Sequence, residues 1–279
     1  MRKMIIAVLS IIVLSSCQKT IPENKEYPSA AVPNAASVAE KAVPAEIDLE
    51  KTEKMNQKEI ESLIESHLRQ NMKSHLSDPL NIIIADYAGK FMEGDSLSFI
   101  AYVDHSGFNF KEGIFERVSG RMSPIEVKYI KNTDNDKENI YSFKEVIYPI
   151  DRTDYEKSIL EMTRQNQEIL NKLKESEKNQ EQTYYKMKDH LKIEADKAGL
   201  KNYQHKVNEV PGFDKGVQLI ENSSIHIKDT IQIISKSDYE RLKNVSSGEK
   251  SHTETADGVL YDKKTGIAVK DILYADMLP

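Results

Sequence analysis

Cys17 is the only cysteine among the 279 residues, and this alone rules out a scaffold stapled by disulfides within the chain. The fold must therefore be held together by an apolar core. Hydrophobic residues make up 39% of the chain, which is enough for one or two small cores even though Trp is absent. The length likewise suggests one or two domains.

The residues before Cys17 have the layout of a cleaved secretory signal. Arg2 and Lys3 precede an apolar run over residues 4–14, which is shorter than the roughly 20 residues of a membrane-spanning helix. The run ends in Leu14-Ser15-Ser16-Cys17, which resembles the lipobox of bacterial lipoproteins. The resemblance implies a signal peptide over residues 1–16, cleavage before Cys17, palmitate on that cysteine, and attachment to the cell envelope. The alternatives are an uncleaved helix and an ordinary secretory signal.

The segment that begins at Cys17 is expected to link the lipid to the folded part. Gln18 stands where Asp would favour inner-membrane retention, so the same resemblance implies the outer membrane and a body in the periplasm. Residues 17–48 are Ala-rich, show no apolar period and contain four prolines: Pro22, Pro28, Pro33 and Pro44. Such a segment cannot bury enough surface to offset its ordering entropy. We expect a lipid-anchored, disordered tether.

The charge of the chain argues against one class of partner. Cleavage would remove two of the 39 basic residues and none of the 45 acidic ones, which would leave a net charge of −8. A nucleic-acid binder would instead show a basic patch. The acidic balance is compatible with a protein that stays soluble and does not adhere to other surfaces.

Residues 49–150 predict one α+β domain. Apolar residues recur at three- and four-residue steps up to Leu76, which indicates an amphipathic helix, and Pro79 ends it. Strand-like runs follow at residues 81–87, 96–103, 113–118, 124–130 and 139–148. Connections rich in Gly, Asn and Asp suit antiparallel hairpins. The expected fold class is α+β, with an N-terminal helix packed on an antiparallel sheet.

The junction between this helix and the first strand resembles a small domain of bacterial and phage envelope proteins. That domain has a helix, an Asp-Pro-x-Ser-Ala-like junction and then a sheet; the run here is His75-Leu76-Ser77-Asp78-Pro79-Leu80-Asn81. Leu80 and Asn81 stand where the family has small residues, and the cysteine usual in its sheet is missing. The family has no assigned reaction, so the resemblance implies a fold and not an activity.

Residues 151–199 predict a long helix. Thr153-Asp154-Tyr155-Glu156 reads as a capping box, Gly199 suits the residue after a helix, and no Pro or Gly lies between them. A heptad-like stripe along the first half is the interaction seam we expect: Tyr155, Ile159, Met162, Ile169 and Leu173. The stripe lapses over residues 176–183, so a coiled coil, packing on another envelope protein, a helical hairpin and a solvated helix all remain open.

Residues 200–279 predict a small C-terminal mixed α+β region. Strand-like runs lie at residues 217–220 and 225–234, and a short helix at residues 237–243. Residues 259–269 have the pattern of a hairpin in which Gly266 supplies a positive φ. The region is either a second small domain or an extension of the first sheet that returns over the long helix.

One short motif suggests hydrolysis but lacks its partners. Gly94-Asp95-Ser96-Leu97 spells the signature of the GDSL hydrolases, whose serine is the nucleophile and whose base is the His of a later Asp-x-x-His. No His in this chain has an Asp three residues before it. We therefore interpret the motif as a hairpin turn.

Metal and cofactor patterns are weak. Four acidic residues have spacing similar to calcium ligands of an EF-hand: Asp134, Asp136, Glu138 and Glu145. Asn139 stands where that loop needs Gly, so an acidic loop is the simpler interpretation. The sequence contains no zinc-type spacing, Walker loop or dinucleotide fingerprint, and we expect no cofactor. His67 is interpreted as a residue that packs on a helix face.

These patterns together predict a lipid-anchored envelope protein with a non-enzymatic binding or assembly role. Its partner would be another envelope protein, or a second copy, bound through the long helix. The alternative is an envelope hydrolase or ligand-binding enzyme whose site residues are dispersed along the chain, since catalytic groups need not be close in sequence.

Overall fold

The structure is a computed structural model that describes residues 46–71, 80–132, 140–150, 154–211, 217–220, 229–245 and 254–274. All of these residues belong to one unit, Ser37–Pro279. The described strands are β1 (Glu46–Asp48), β2 (Leu80–Glu93), β3 (Ser96–Lys111), β4 (Ile114–Lys131), β5 (Ile140–Ile147), β6 (Val217–Ile220), β7 (Thr230–Ser235), β8 (Thr255–Asp262) and β9 (Ala268–Tyr274). The described helices are α1 (Leu49–Lys54), α2 (Gln57–Asn71), α3 (Tyr155–Met162), α4 (Gln167–Lys178), α5 (Gln180–Lys197) and α6 (Lys236–Lys243).

Three long strands, β2 to β4, form an antiparallel meander joined by two-residue turns. Gly94 has φ 58°, and Glu112 and Gly113 have φ 53° and 84°. Positive φ at these positions matches the twist of tight hairpins. Gly94 and Asp95 form the turn between β2 and β3, which confirms the interpretation of the Gly94–Leu97 motif as a hairpin turn.

All nine described strands belong to one mixed sheet, and β4 is its hub. β5 and β9 both lie along one edge of β4, at different positions. β5 is followed by β1, and β9 is followed by β8, β7 and β6; β3 and then β2 lie on the other edge of β4. β9 is parallel to β4 and pairs with it only at Phe115↔Val269 and Glu116↔Lys270. The Lys270 ammonium also lies 3.2 Å from the Glu116 carboxylate. The C-terminal strands therefore extend the first sheet.

Helices cover both faces of this sheet. On one face, Ile64 and Leu68 of α2 pack with Ile83, Phe99 and Tyr129, all almost fully buried. On the other face, a second core draws residues from α5 and from the strands, including Leu191, Phe115 and Val269. Each such side chain contributes about 1.5–3 kcal/mol when fully buried. Among the described residues, no helix is both long and apolar enough to cross a membrane.

The expected fold class is wrong. We expected an N-terminal helix on an antiparallel sheet, then a long helix over residues 151–199 and a small C-terminal mixed α+β region. The described residues instead form a mixed sheet of nine strands with six short helices, of which the longest has 18 residues. No described helix has the length that a coiled coil would need.

The predicted long helix is divided at two asparagines. Arg164 and Gln165 have φ 49° and 58°, which ends α3. Asn166, which lies between the seam residues Met162 and Ile169, caps α4, because its side chain accepts from the N–H groups of Glu168 and Ile169. Asn179 ends α4 in the same sequence region where the apolar stripe lapses. Asparagine side chains compete for backbone hydrogen bonds and so favour helix ends over helix interiors. Thr153 of the predicted capping box lies outside the described residues.

Ion pairs of Arg164 attach the turn between α3 and α4 to the sheet. The Arg164 guanidinium donates to Glu126 at 2.8 Å and to Glu93 at 3.0 Å, and it lies 4.6 Å from the ring centroid of Phe91. These contacts attach Arg164, which lies in the turn between α3 and α4, to β4 and β2.

The outer edge of β2 is occupied by carboxylates of α2. The N–H of Ala85 donates to Glu65 Oε1 at 3.0 Å, and the N–H of Tyr87 donates to Glu61 Oε1 at 3.3 Å. Glu61 and Glu65 are four residues apart, which is about 6 Å along a helix, and Ala85 and Tyr87 are two residues apart, which is about 7 Å along a strand. The spacing of the two carboxylates therefore matches that of the two N–H groups. Lys186 of α5 pairs with Glu61 and with Asp86. This edge is therefore protected against adding a further strand.

Candidate binding site

One edge of β4 changes partner along its length and leaves an opening in the middle of the sheet. β9 pairs with this edge up to Glu116, and β5 pairs with it from Glu126 onward. Between these points no described strand lies against it, although β3 continues to pair with the opposite edge. We call residues 120–125 of this edge the β4 gap.

The strand is exposed at this opening. Residues 118–122 are all exposed, although they stand within an 18-residue strand whose neighbour β3 is mostly buried. The pairing of Phe108 with Arg117 and of Gly107 with Ser119 leaves Val118 as an extra residue, which is a β-bulge. Bulges bend a strand and commonly occur beside functional sites. Solvent therefore reaches the backbone and both side-chain directions of β4 here.

A groove lies against the β4 gap on the face that carries α2. It has a volume of about 410 Å³, a size within the usual range for small-molecule pockets. Its floor includes Ile83, Val103 and Ile125, and its polar lining includes His105 and Arg121. None of the described residues that line it is acidic. We call it the Arg121 groove.

Arg121 is positioned by an aromatic ring. Its guanidinium carbon lies 4.2 Å from the ring centroid of Tyr148, which follows β5. Burial raises the pKa of the Tyr148 phenol and the Arg121 charge opposes this rise, so the phenol is neutral at ordinary pH. A cation over an aromatic face is held in place by about 0.5–2 kcal/mol and keeps its charge. Within the described part of the chain, Arg121 makes no ion pair with a carboxylate.

A second arginine, Arg117, joins neighbouring strands on the opposite face of the sheet. Arg117 donates to Ser106 Oγ at 2.8 Å and to Asp271 at 3.4 Å, and it lies 3.6 Å from buried Asp104. Burial raises the pKa of Asp104, while Arg117 acts against the rise. A Cβ at Gly120 would come within 2.7 Å of Arg117 Nη2. A side chain at this position would therefore require the Arg117 guanidinium, which joins β3, β4 and β9 beside the gap, to move.

The interaction seam expected from the sequence faces the chain's own sheet. Met162, Ile169 and Leu173 are buried and share a cluster that includes Ile100 and Tyr102. Ile159 packs on this cluster while partly buried, and Tyr155 is half-buried. The stripe is thus the core-facing side of α3 and α4, and its central residues have no surface to offer a partner.

The remaining residues expected to carry function contribute no joint site. Cys17 and three of the calcium candidates, Asp134, Asp136 and Glu138, lie outside the described residues. Glu145 is on β5, 3.8 Å from the Lys144 ammonium. Among the described residues, no cluster of His, Cys, Asp and Glu could hold a metal ion.

His67 is a core residue, as the sequence suggested. It is 1% exposed, and its Nδ1 lies 2.5 Å from the hydroxyl of Tyr129. Its ring also contacts Phe143 edge-on. The histidine therefore links α2 to β4 and β5 within the core.

Comparisons with known proteins give no relative from which a site could be transferred. No family model matches the chain, and no similar curated protein or solved structure was found. The β4 gap and the Arg121 groove must therefore be judged by their own geometry and chemistry.

Proposed function

We propose that the protein is a lipid-anchored component of the bacterial envelope that binds a partly apolar anion in the Arg121 groove. The anchor is supported by the resemblance of Leu14-Ser15-Ser16-Cys17 to a lipobox. The expected tether ends earlier than residue 48, because Glu46–Asp48 form β1 of the sheet, and the Pro-containing residues 17–45 would hold the body away from the outer membrane. The proposed role is recognition, since the groove offers an apolar floor and a cation.

The observation that carries this proposal is the juxtaposition of Arg121 with Ile83, Val103 and Ile125 in one groove. An apolar ligand part gains about 25 cal/mol for each Å² it removes from water. A carboxylate, sulfonate or phosphate on the same ligand can accept from the planar guanidinium, which suits such anions in a two-pronged arrangement. A ligand with both parts fits better than a purely polar or purely apolar one.

The binding surface differs from the one expected from the sequence. An assembly role through a long helix is not proposed, because the apolar stripe of α3 and α4 packs on β2 and β3. The gap in the sheet takes its place as the surface at which a ligand or partner would be recognised.

The test compares an anionic and a neutral probe of similar apolar shape. Anilinonaphthalene sulfonate and N-phenylnaphthylamine are titrated by fluorescence into the protein, into Arg121→Gln and into the matched control Lys111→Gln, whose lysine is exposed at the end of β3. A charge-assisted hydrogen bond is worth about 1.5–3 kcal/mol. We expect Arg121→Gln to weaken sulfonate binding about tenfold and to leave the neutral probe unchanged.

The control variant should bind both probes as the unmodified protein does. Equal loss of both probes in Arg121→Gln, or no loss of the sulfonate, would contradict a site built on the Arg121 charge. Circular dichroism of each variant establishes that the sheet is intact before the titrations are compared.

A further inference from the structure

We propose that the β4 gap receives an extended peptide segment, which pairs with β4 as an added strand and places a carboxylate side chain at Arg121. This inference rests on the proposed function, because it identifies the anion of the Arg121 groove as an acidic residue of a peptide with apolar neighbours.

The backbone of β4 provides the first argument. An open strand edge presents N–H and C=O groups that template another strand, and peptides are recognised in this way at exposed edges. The other open edge, on β2, has its N–H groups at Ala85 and Tyr87 occupied by Glu65 and Glu61. Among the described residues, no helix carboxylate accepts from residues 120–125, where the Pro124 carbonyl accepts from the Ser123 hydroxyl at 3.0 Å. Pro124 within the β4 gap has no N–H, so a paired segment would be held by the N–H and C=O groups of the other residues of the gap.

The length of the opening suits a short strand. Residues 120–125 span about 20 Å at about 3.3 Å per residue. β9 at one end and β5 at the other lie beside the same edge of β4, so an inserted segment would complete the sheet between them. A strand of five or six residues is the usual length in globular proteins.

Exposed apolar residues stand at both ends of the gap. Val118 and Ile272, 47% and 51% exposed, each lie two residues beyond the Glu116↔Lys270 pair that ends the backbone pairing of β4 and β9. Met122 and Ile150, 38% and 59% exposed, lie toward the end where β5 begins its pairing. Apolar side chains of a bound segment would remove these residues from water.

The charges around the opening select the chemistry of the segment. Arg117 is already engaged by Asp271, Ser106 and Asp104. Arg121 is held over Tyr148 with no carboxylate partner among the described residues. An acidic side chain would be complementary to Arg121, and β-branched neighbours would suit both the strand and the apolar ends of the gap.

The experiment uses a blocked, fluorescent heptapeptide of alternating Thr and Val with one central Glu, measured by anisotropy with the protein. A second peptide of the same sequence is N-methylated at alternate amides, which removes donors but keeps the side chains. A third replaces Glu by Gln. Val118→Lys places a charge at the end of the gap, and Met92→Lys places the same charge at an exposed methionine at the far end of β2.

We expect the first peptide to bind, and each of N-methylation, Glu replacement and Val118→Lys to weaken it about tenfold or more. Met92→Lys should leave its affinity unchanged. Equal affinity for the N-methylated peptide would overturn strand addition. If no peptide binds while anilinonaphthalene sulfonate still binds through Arg121, the inference fails and the proposed function stands. If Arg121 is irrelevant to both ligands, both fail.

Discussion

Replacing Glu65 by Gln should remove a pH dependence from the stability of the fold. Glu65 lies between α2 and the edge of β2, and burial raises the pKa of its carboxyl from 4.5 to about 7. The N–H of Ala85 and the cations Lys186 and Arg69 favour the charged form, while Glu61 opposes it. Burial outweighs these contacts. A glutamine keeps an oxygen for the Ala85 N–H and carries no proton that titrates.

The sign follows from proton binding. Between pH 4.5 and about 7 the folded state keeps the Glu65 proton while the unfolded state has lost it. The unfolded state therefore binds fewer protons, and the free energy of unfolding falls as pH rises through this window. A shift from 4.5 to about 7 corresponds to at most about 3 kcal/mol. Partial solvent screening and coupling to Glu61 and Lys186 reduce the expected effect to about 1–2 kcal/mol.

Urea unfolding of the protein and of Glu65→Gln, followed by circular dichroism from pH 4 to pH 8, measures this difference. We expect the two proteins to be similar near pH 4 and the variant to be more stable at pH 8 by about 1–2 kcal/mol. Glu53→Gln, at an exposed position on α1, is the matched control and should follow the unmodified protein throughout. A constant offset between Glu65→Gln and the unmodified protein at every pH would refute the reasoning.

Two further substitutions test other parts of the account. Cys17→Ser should abolish labelling by an alkyne-tagged palmitate and release the protein from the membrane fraction, whereas Ser29→Ala should change neither; labelling that persists in Cys17→Ser would contradict the anchor. Gly89→Ala would bring a Cβ to 2.5 Å from Ile169 Cδ1 and should lower the free energy of unfolding by about 1–3 kcal/mol. Removing that methyl with Ile169→Val should recover part of the loss in the double variant, and a Gly89→Ala protein of unchanged stability in urea would show that α4 does not pack there.

Local patterns predicted the individual strands better than their assembly. The predicted strands at residues 81–87 and 96–103 lie within β2 and β3, because alternation and turn residues act over short distances. The two-pair contact between β4 and β9 joins residues more than 150 positions apart, and no local pattern reports such a pairing. The heptad stripe from Tyr155 to Leu173 misled for a related reason: an amphipathic helix shows the same spacing whether it faces a partner or its own sheet.

The candidate site lies in a segment that the sequence pattern presents as a break between two strands. The predicted strands at residues 113–118 and 124–130 fall almost entirely within the single strand β4, which continues through the β-bulge at Val118. Residues 119–122 lack alternation because all four are exposed. Gly120 was the available signal, since glycine inside a strand often marks a bulge or a close approach. The pairing of Arg121 with Tyr148 depends on the order of strands and has no local signature.

Amide chemical-shift mapping of the isotopically labelled protein during titration with anilinonaphthalene sulfonate tests the proposed site most directly. We predict that the largest shifts fall on residues 120–123, on Ile125, on His105 and on Tyr148, and that Arg121→Gln suppresses them. Exposed apolar residues elsewhere, Ile193 on α5 and Leu219 on β6, should not respond. Shifts centred on those residues, with β4 unaffected, would contradict the assignment of binding to the Arg121 groove.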